Sequence, residues 1–169
     1  EKVFDGALLH IEHWQVRLPD GRTALREIAR HIGAVAVVPV DEDGYVTVVY
    51  QYRPGIGRVM LEIPAGKLDS ADEDRLEAAQ RELREETGLT ASSWTRLADI
   101  VPSPGYLTER ITLFLAKGLS QGETDPDDDE FLNVERIPLT ELVGRVMRGE
   151  IEDAKTQSGL LMAARALGV

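Results

Sequence analysis

The chain opens on short stretches of mixed polarity. Residues 8–18 alternate in part between apolar and polar positions. Pro19-Asp20-Gly21 is a turn signal, and residues 23–30 follow it, so short strands joined by a turn are expected. An unbroken apolar run comes next, Ala34-Val35-Ala36-Val37-Val38-Pro39-Val40. Its length and β-branched content predict a buried strand. Asp41-Glu42-Asp43-Gly44 then turns the chain into Tyr45-Val46-Thr47-Val48-Val49-Tyr50, the expected hairpin partner. After the Pro54-Gly55-Ile56-Gly57 turn, residues 59–63 read as a shorter strand. The period changes over 73–87, where Leu76, Ala79 and Leu83 recur at helical spacing and Gly88 supplies a C-cap. The start of that helix is open between Ser70, at capping-box distance from Glu73, and Asp72. Strands recur near 94–101, 109–116 and 132–137. Two helices close the chain, about 138–147 and 154–167, the second with Asp153 as its N-cap. This order spells a mixed α/β or α+β sandwich.

Composition narrows the class. A chain of 169 residues suits one domain, 1–169, with residues 1–30 as a candidate subregion. With 43% apolar and 29% charged residues it is globular. No apolar window is long enough for a transmembrane helix, and Glu1-Lys2-Val3-Phe4-Asp5 lacks the plan of a signal peptide. The absence of cysteine excludes disulfides, thiolate metal sites and cysteine nucleophiles, and a cytoplasmic location is expected. The net charge of −11 is concentrated in two stretches. Residues 66–89 hold eight acids against four bases, and residues 123–130 hold six acids and no base. Such a chain is a poor nucleic-acid binder, because that affinity comes from clustered Lys and Arg. Concentrated carboxylates suit hard cations such as magnesium, manganese or calcium.

At about 100° per residue, Glu82, Glu85 and Glu86 share one arc of the central helix, beside the Leu76–Ala79–Leu83 stripe. Like charges at these spacings repel, and a divalent cation would reverse the sign. Taken alone, the arc reads equally as a solvated acidic face. The string around it decides. From Gly66 to Leu89 the sequence resembles the Nudix box, in its positions Gly66, Glu73, Arg81, Glu82, Leu83, Glu85, Glu86, Gly88 and Leu89. Six residues rather than five separate Gly66 from Glu73, which leaves Asp72 at the usual spacing. A loop absorbs an insertion more cheaply than a helix, so Glu73 is expected to keep its register.

The resemblance implies a Nudix-type α/β/α sandwich with a mixed central sheet and an N-terminal antiparallel strand region. It implies hydrolysis of a nucleoside diphosphate linked to another group. It also implies two or three magnesium or manganese ions held by Glu82, Glu85, Glu86 and the carbonyl of Ala65, with Glu73 as a structural partner of Arg81. Arg81 would orient the glutamates by pairing with them, and Glu85 and Arg81 are counted with the catalytic groups. Outside the box the chain is similar to the ADP-ribose pyrophosphatase branch. That likeness rests on Ser103-Pro104-Gly105, with Pro104 fifteen residues after Leu89. It rests also on Gln51-Tyr52-Arg53-Pro54 before Glu62-Ile63-Pro64-Ala65-Gly66, and on Arg26-Glu27 before His31-Ile32-Gly33-Ala34-Val35. By it, Arg53 would contact phosphate, where a bidentate guanidinium is apt. Glu27 and Arg26 would sit near the adenine or ribose, and Pro104 and Gly105 against the substrate. A plain ion pair is the competing reading for Arg53. Trp14 and Tyr106 are candidate adenine partners, whereas Trp94 reads as core.

In that branch the catalytic base lies just before a late strand, which here makes Glu130 the first candidate and Asp128 the second. The same acidic run is not a calcium loop, since Glu130 and Arg136 stand where an EF-hand needs Gly and Glu. Gly66-Lys67 is not a P-loop, Gly55-Ile56-Gly57 is not a dinucleotide fingerprint, and Ser103 lacks a nucleophile elbow. The expected activity is metal-dependent cleavage of ADP-ribose to AMP and ribose 5-phosphate. The alternatives are another nucleoside diphosphate derivative as substrate (NADH, a nucleotide sugar, a dinucleoside polyphosphate), or a module that binds ADP-ribose without cutting it. The full set of helix glutamates argues against the last. The resemblance further implies a homodimer with residues 1–30 at its interface and a small-molecule nucleotide partner; the acidic charge and the lack of a long apolar window lead to no nucleic-acid or membrane partner being expected.

Overall fold

The computed structural model describes residues 1–122 and 133–169. Its elements are β1 (Lys2–Asp5), β2 (His10–Arg17), β3 (Thr23–Arg30), β4 (Ala34–Pro39), β5 (Tyr45–Arg53), β6 (Arg58–Glu62), β7 (Ala65–Lys67), α1 (Arg75–Thr87), β8 (Leu89–Ile100), β9 (Ile111–Gln121), β10 (Asn133–Pro138), α2 (Leu139–Met147) and α3 (Ala154–Leu167). The apolar run is the spine: β4 lies in a mixed sheet of order β7-β4-β9-β8, parallel to β9 and antiparallel to β7. Both faces of that sheet are covered, which is why β4 is apolar throughout rather than alternating.

Side chains still sort by parity. Val35 and Val37, with Phe114 and Ala116, face α1 and meet Ala78, Ala79 and Leu83. Ala34, Ala36 and Val38, with Leu113 and Leu115, face the other way and meet Val46 and Val48 of β5, Leu142 of α2 and Leu160 of α3. The result is the expected α/β/α sandwich. A second sheet of order β10-β5-β6 carries the Arg53 hairpin, and β1-β2-β3 form a separate antiparallel sheet. Trp94 packs edge-on against Phe114, as a core aromatic should.

Two expectations need correction. Residues 34–40 and 45–50 are not a hairpin: they share one isolated bridge, Val40 to Val46, and their strands enter different sheets. The Asp41 carboxylate accepts the N–H groups of Asp43 and Tyr45 and redirects the chain across the sandwich instead of back along it. The α1 N-cap is neither Ser70 nor Asp72 but Asp74, whose side chain accepts the N–H groups of Leu76 and Glu77.

Helix α3 is pinned to the link between β6 and β7. Asp153 caps it as expected, and the buried Thr156 hydroxyl donates to Asp153 while accepting the Ile63 N–H at 3.0 Å. Replacing Thr156 by the isosteric valine leaves that N–H buried without a partner. A loss of about 1–3 kcal/mol is expected, measurable as a lowered denaturant midpoint with an unchanged m-value.

Candidate active site

The buried residues Ala78, Ala79 and Leu83 fix the rotation of α1 on the sheet, and that rotation turns the glutamates toward β7. Glu82 and Glu86 are both buried. Glu86 Oε2 accepts the Ala65 N–H at 3.1 Å. Glu82 lies so close to the strand that a Cβ built on Gly66 would stand 2.1 Å from its carboxyl carbon. Only glycine permits this approach.

Arg81 stitches the cluster together. Its Nη1 donates to Glu82 Oε1 at 2.8 Å and to Glu85 Oε2 at 3.1 Å, and its Nη2 donates to the Lys67 carbonyl at 3.1 Å. Glu73 stands 3.4 Å from Arg81, and its other oxygen accepts the Asp69 N–H. Asp72 is exposed, so Glu73 and not Asp72 faces the arginine. Burial works against the Arg81 charge, but the Glu82 charge and the hydrogen bonds to Glu73 and Glu82 outweigh it and push the pKa up. Among the described residues no three acidic or histidine side chains form a finished metal cage. The site is a carboxylate wall held by an arginine. Its donor set is nonetheless all hard oxygen: three carboxylates on two turns of helix against bare backbone at Ala65 and Gly66. That set fits magnesium or manganese and does not fit a soft metal.

Two hollows meet at Gly66 and Lys67. One, of about 540 Å³, is lined by Arg81, Glu82, Glu85 and Asp69. The other, of about 430 Å³, is lined by Arg53, Lys155, Gln51, Ala65, Pro102 and Glu109, among others. A carboxylate wall thus abuts a wall that carries Arg53 and Lys155, with Lys67 at the junction, an arrangement that can hold metal ions beside an anionic substrate.

The NUDIX domain model matches residues 30–158. The chain belongs to the Nudix family. The ADP-ribose pyrophosphatase of Mycobacterium tuberculosis is 40% identical over 163 residues, covering 95% of this chain and 79% of that protein. The ADP-ribose pyrophosphatase of Bacillus subtilis is 39% identical over 158 residues, covering 92% and 85%. A crystal structure of an ADP compounds hydrolase superposes with a TM-score of 0.88 at 26% identity, covering 99% of this chain and 91% of that one. Nudix hydrolases work with divalent metal ions, and the oxygen donors of α1 suit that requirement.

Not every residue singled out in the sequence of this Nudix hydrolase reaches the cleft. Arg53 lines it, but its guanidinium is tied bidentately to Glu62, both contacts at 2.7 Å. Burial alone would push the Glu62 carboxyl up; Arg53, and then the charge of Lys155, hold it below its ordinary value. Glu27 is exposed beside His13, and Arg26 donates to the Leu25 carbonyl; within one chain neither lines either hollow. Trp14 lies under Arg30, and Tyr106 is exposed. Pro104 and Gly105 sit in the exposed turn beside the cleft-lining Pro102. Glu130 and Asp128 lie outside the described residues.

Sequence reasoning gave Glu62 and Lys155 no role and used Asp153 only as a cap. The available signal for Glu62 was an acid directly after the apolar run Val59-Met60-Leu61 and before Ile63. Nothing local marked Lys155. No helix among the described residues is long and apolar enough to cross a membrane.

Proposed function

We propose that this Nudix hydrolase cleaves the diphosphate of ADP-ribose to AMP and ribose 5-phosphate. The observation that carries this reading is the junction at Gly66–Lys67, where the Glu82–Glu85–Arg81 wall meets the cleft lined by Arg53 and Lys155. The names of the Mycobacterium and Bacillus relatives point to the same substrate. Residues 1–169 act as one hydrolase domain, working in the cytoplasm.

The reaction adds water across one P–O bond. The water oxygen attacks one phosphorus, the bond from that phosphorus to the bridging oxygen breaks, and the leaving phosphate departs with the bridging oxygen. Two or three magnesium or manganese ions, when bound, supply charge neutralisation and an acidified water. The chain's own residues do the rest. Glu82, Glu85, Glu86 and the Ala65 carbonyl would hold the ions. Arg81 keeps two of those carboxylates in place through its single Nη1. Arg53 faces the diphosphate, and Glu130 or Asp128 takes the proton released by the water.

The chain works as a homodimer. Val3, Phe4, Leu8, Leu9 and Leu25 of the N-terminal region are all about half exposed or more, an apolar surface that a second copy would cover. Pairing through this region would give Glu27 and Arg26 a route to the nucleoside end of the partner's cleft.

The test is product analysis with ADP-ribose in oxygen-18 water with magnesium. AMP and ribose 5-phosphate should appear, with the label on one of them only. If NADH, nucleotide sugars or dinucleoside polyphosphates are cleaved with clearly higher kcat/KM, the substrate assignment is wrong. Binding of ADP-ribose with no product would favour a sensor.

A further inference from the structure

Lys155 has no part in the box, yet it stands in the cleft. It lies in the first turn of α3 and lines the same wall as Arg53. Both cations converge on one carboxylate. Arg53 holds both oxygens of Glu62, and Lys155 Nζ donates to Oε2 of the same group at 2.5 Å. Lys155 also reaches Asp153 Oδ2 at 3.0 Å. The Glu62 side chain is 3% exposed and that of Lys155 12%, while Arg53 keeps 39% of its side chain open. Glu62 and Lys155 therefore form a buried base, and Arg53 is the member that faces the cleft.

The charges decide what this base does. Arg53 and Lys155 balance Glu62 and Asp153. Without Lys155 the group would carry a net negative charge toward a cleft built for an anion, and Arg53 would be neutralised by Glu62 alone. A purely structural strut here would not need a cation, since Thr156 already ties α3 to Ile63, the residue next to Glu62.

We propose that Lys155 is a positioning residue for diphosphate binding: its charge offsets that of Glu62, which Arg53 holds through Nε and Nη2, and so preserves the positive field of Arg53 toward the substrate's phosphates. This rests on the proposed ADP-ribose hydrolysis for its substrate, though not for its electrostatics.

The test compares the full chain with Lys155→Met, Lys155→Gln and Lys155→Arg. Three readouts are taken: initial rates with ADP-ribose in magnesium, thermal melting, and calorimetric titration with inorganic pyrophosphate. Lys155→Met should raise KM about tenfold with kcat changed less than about twofold, the signature of binding lost equally from the ground and transition states. Lys155→Gln, which can still donate to Glu62 but carries no charge, should do the same, and it stands in if the methionine variant does not fold. Lys155→Arg should restore most of the affinity. Pyrophosphate should weaken in parallel with KM. An unchanged KM in Lys155→Gln, or a rise that arginine does not rescue, overturns the proposal. If the wild-type chain leaves ADP-ribose intact, the substrate reading fails, and the pyrophosphate titration still decides the role of Lys155.

Discussion

Replacing Glu86 by glutamine is expected to lower turnover of ADP-ribose by about 10³-fold or more, roughly 4 kcal/mol of lost transition-state stabilisation, while the fold survives. Glu86 is buried, and the contact it makes to backbone is accepted by an oxygen that an amide also possesses. The substituted amide would keep the Ala65 N–H satisfied and leave the loop in place. What disappears is the negative charge. The effect should therefore fall on kcat and on the magnesium concentration needed for activation, with the melting temperature within a few degrees of wild type. A second consequence can be read without turnover. A ligand that binds only the native state raises its stability by mass action, so added magnesium should raise the melting temperature of the wild type more than that of Glu86→Gln. An active variant with an unchanged magnesium requirement would remove Glu86 from the metal site.

How much of this was legible in the sequence depends on how local the determining interaction is. Helix α1 could be read because its stripe, its C-cap Gly88 and its glutamates lie within a few turns of one another, and the packing of Ala79 and Leu83 then fixes where the glutamates point; its N-cap, Asp74, was not read. Asp153 was legible as a cap for the same reason. The partner of β4 was not. Its apolar residues show that both faces are covered, but period alone does not name the neighbour. That neighbour is β9, more than 70 residues later and parallel, so no turn chemistry announces it. β7 is three residues long, too short to display any period. Arg53 was legible as a cation near the site but not as one arm of a shared carboxylate, because Lys155 joins Glu62 from 93 residues away. The base candidates Glu130 and Asp128 were reached by resemblance alone and lie outside the described residues.

Gly66→Ala tests whether the close approach of strand and helix is itself a requirement of the chemistry. The added methyl would lie about 2.1 Å from the carboxyl carbon and as close to both oxygens of Glu82, far inside contact distance. Those atoms are the far end of a flexible side chain, so the cheapest response is for Glu82 to swing away rather than for β7 to leave the sheet. The strand has other anchors: Val35 pairs with Gly66, and its neighbours Ala34 and Ala36 pair with Lys67 and Ala65. Swinging Glu82 out would also break its 2.8 Å bond to Arg81 Nη1 and loosen the hold of Arg81 on Glu85. The expected result is a folded chain, destabilised by about 1–3 kcal/mol through overpacking, with kcat reduced at least about 100-fold and weakened magnesium activation. Calorimetric titration with manganese would report the lost affinity directly. Activity within a few-fold of wild type would mean that Glu82 can serve from a second position, and that the glycine is there for the chain's path instead of for the metal.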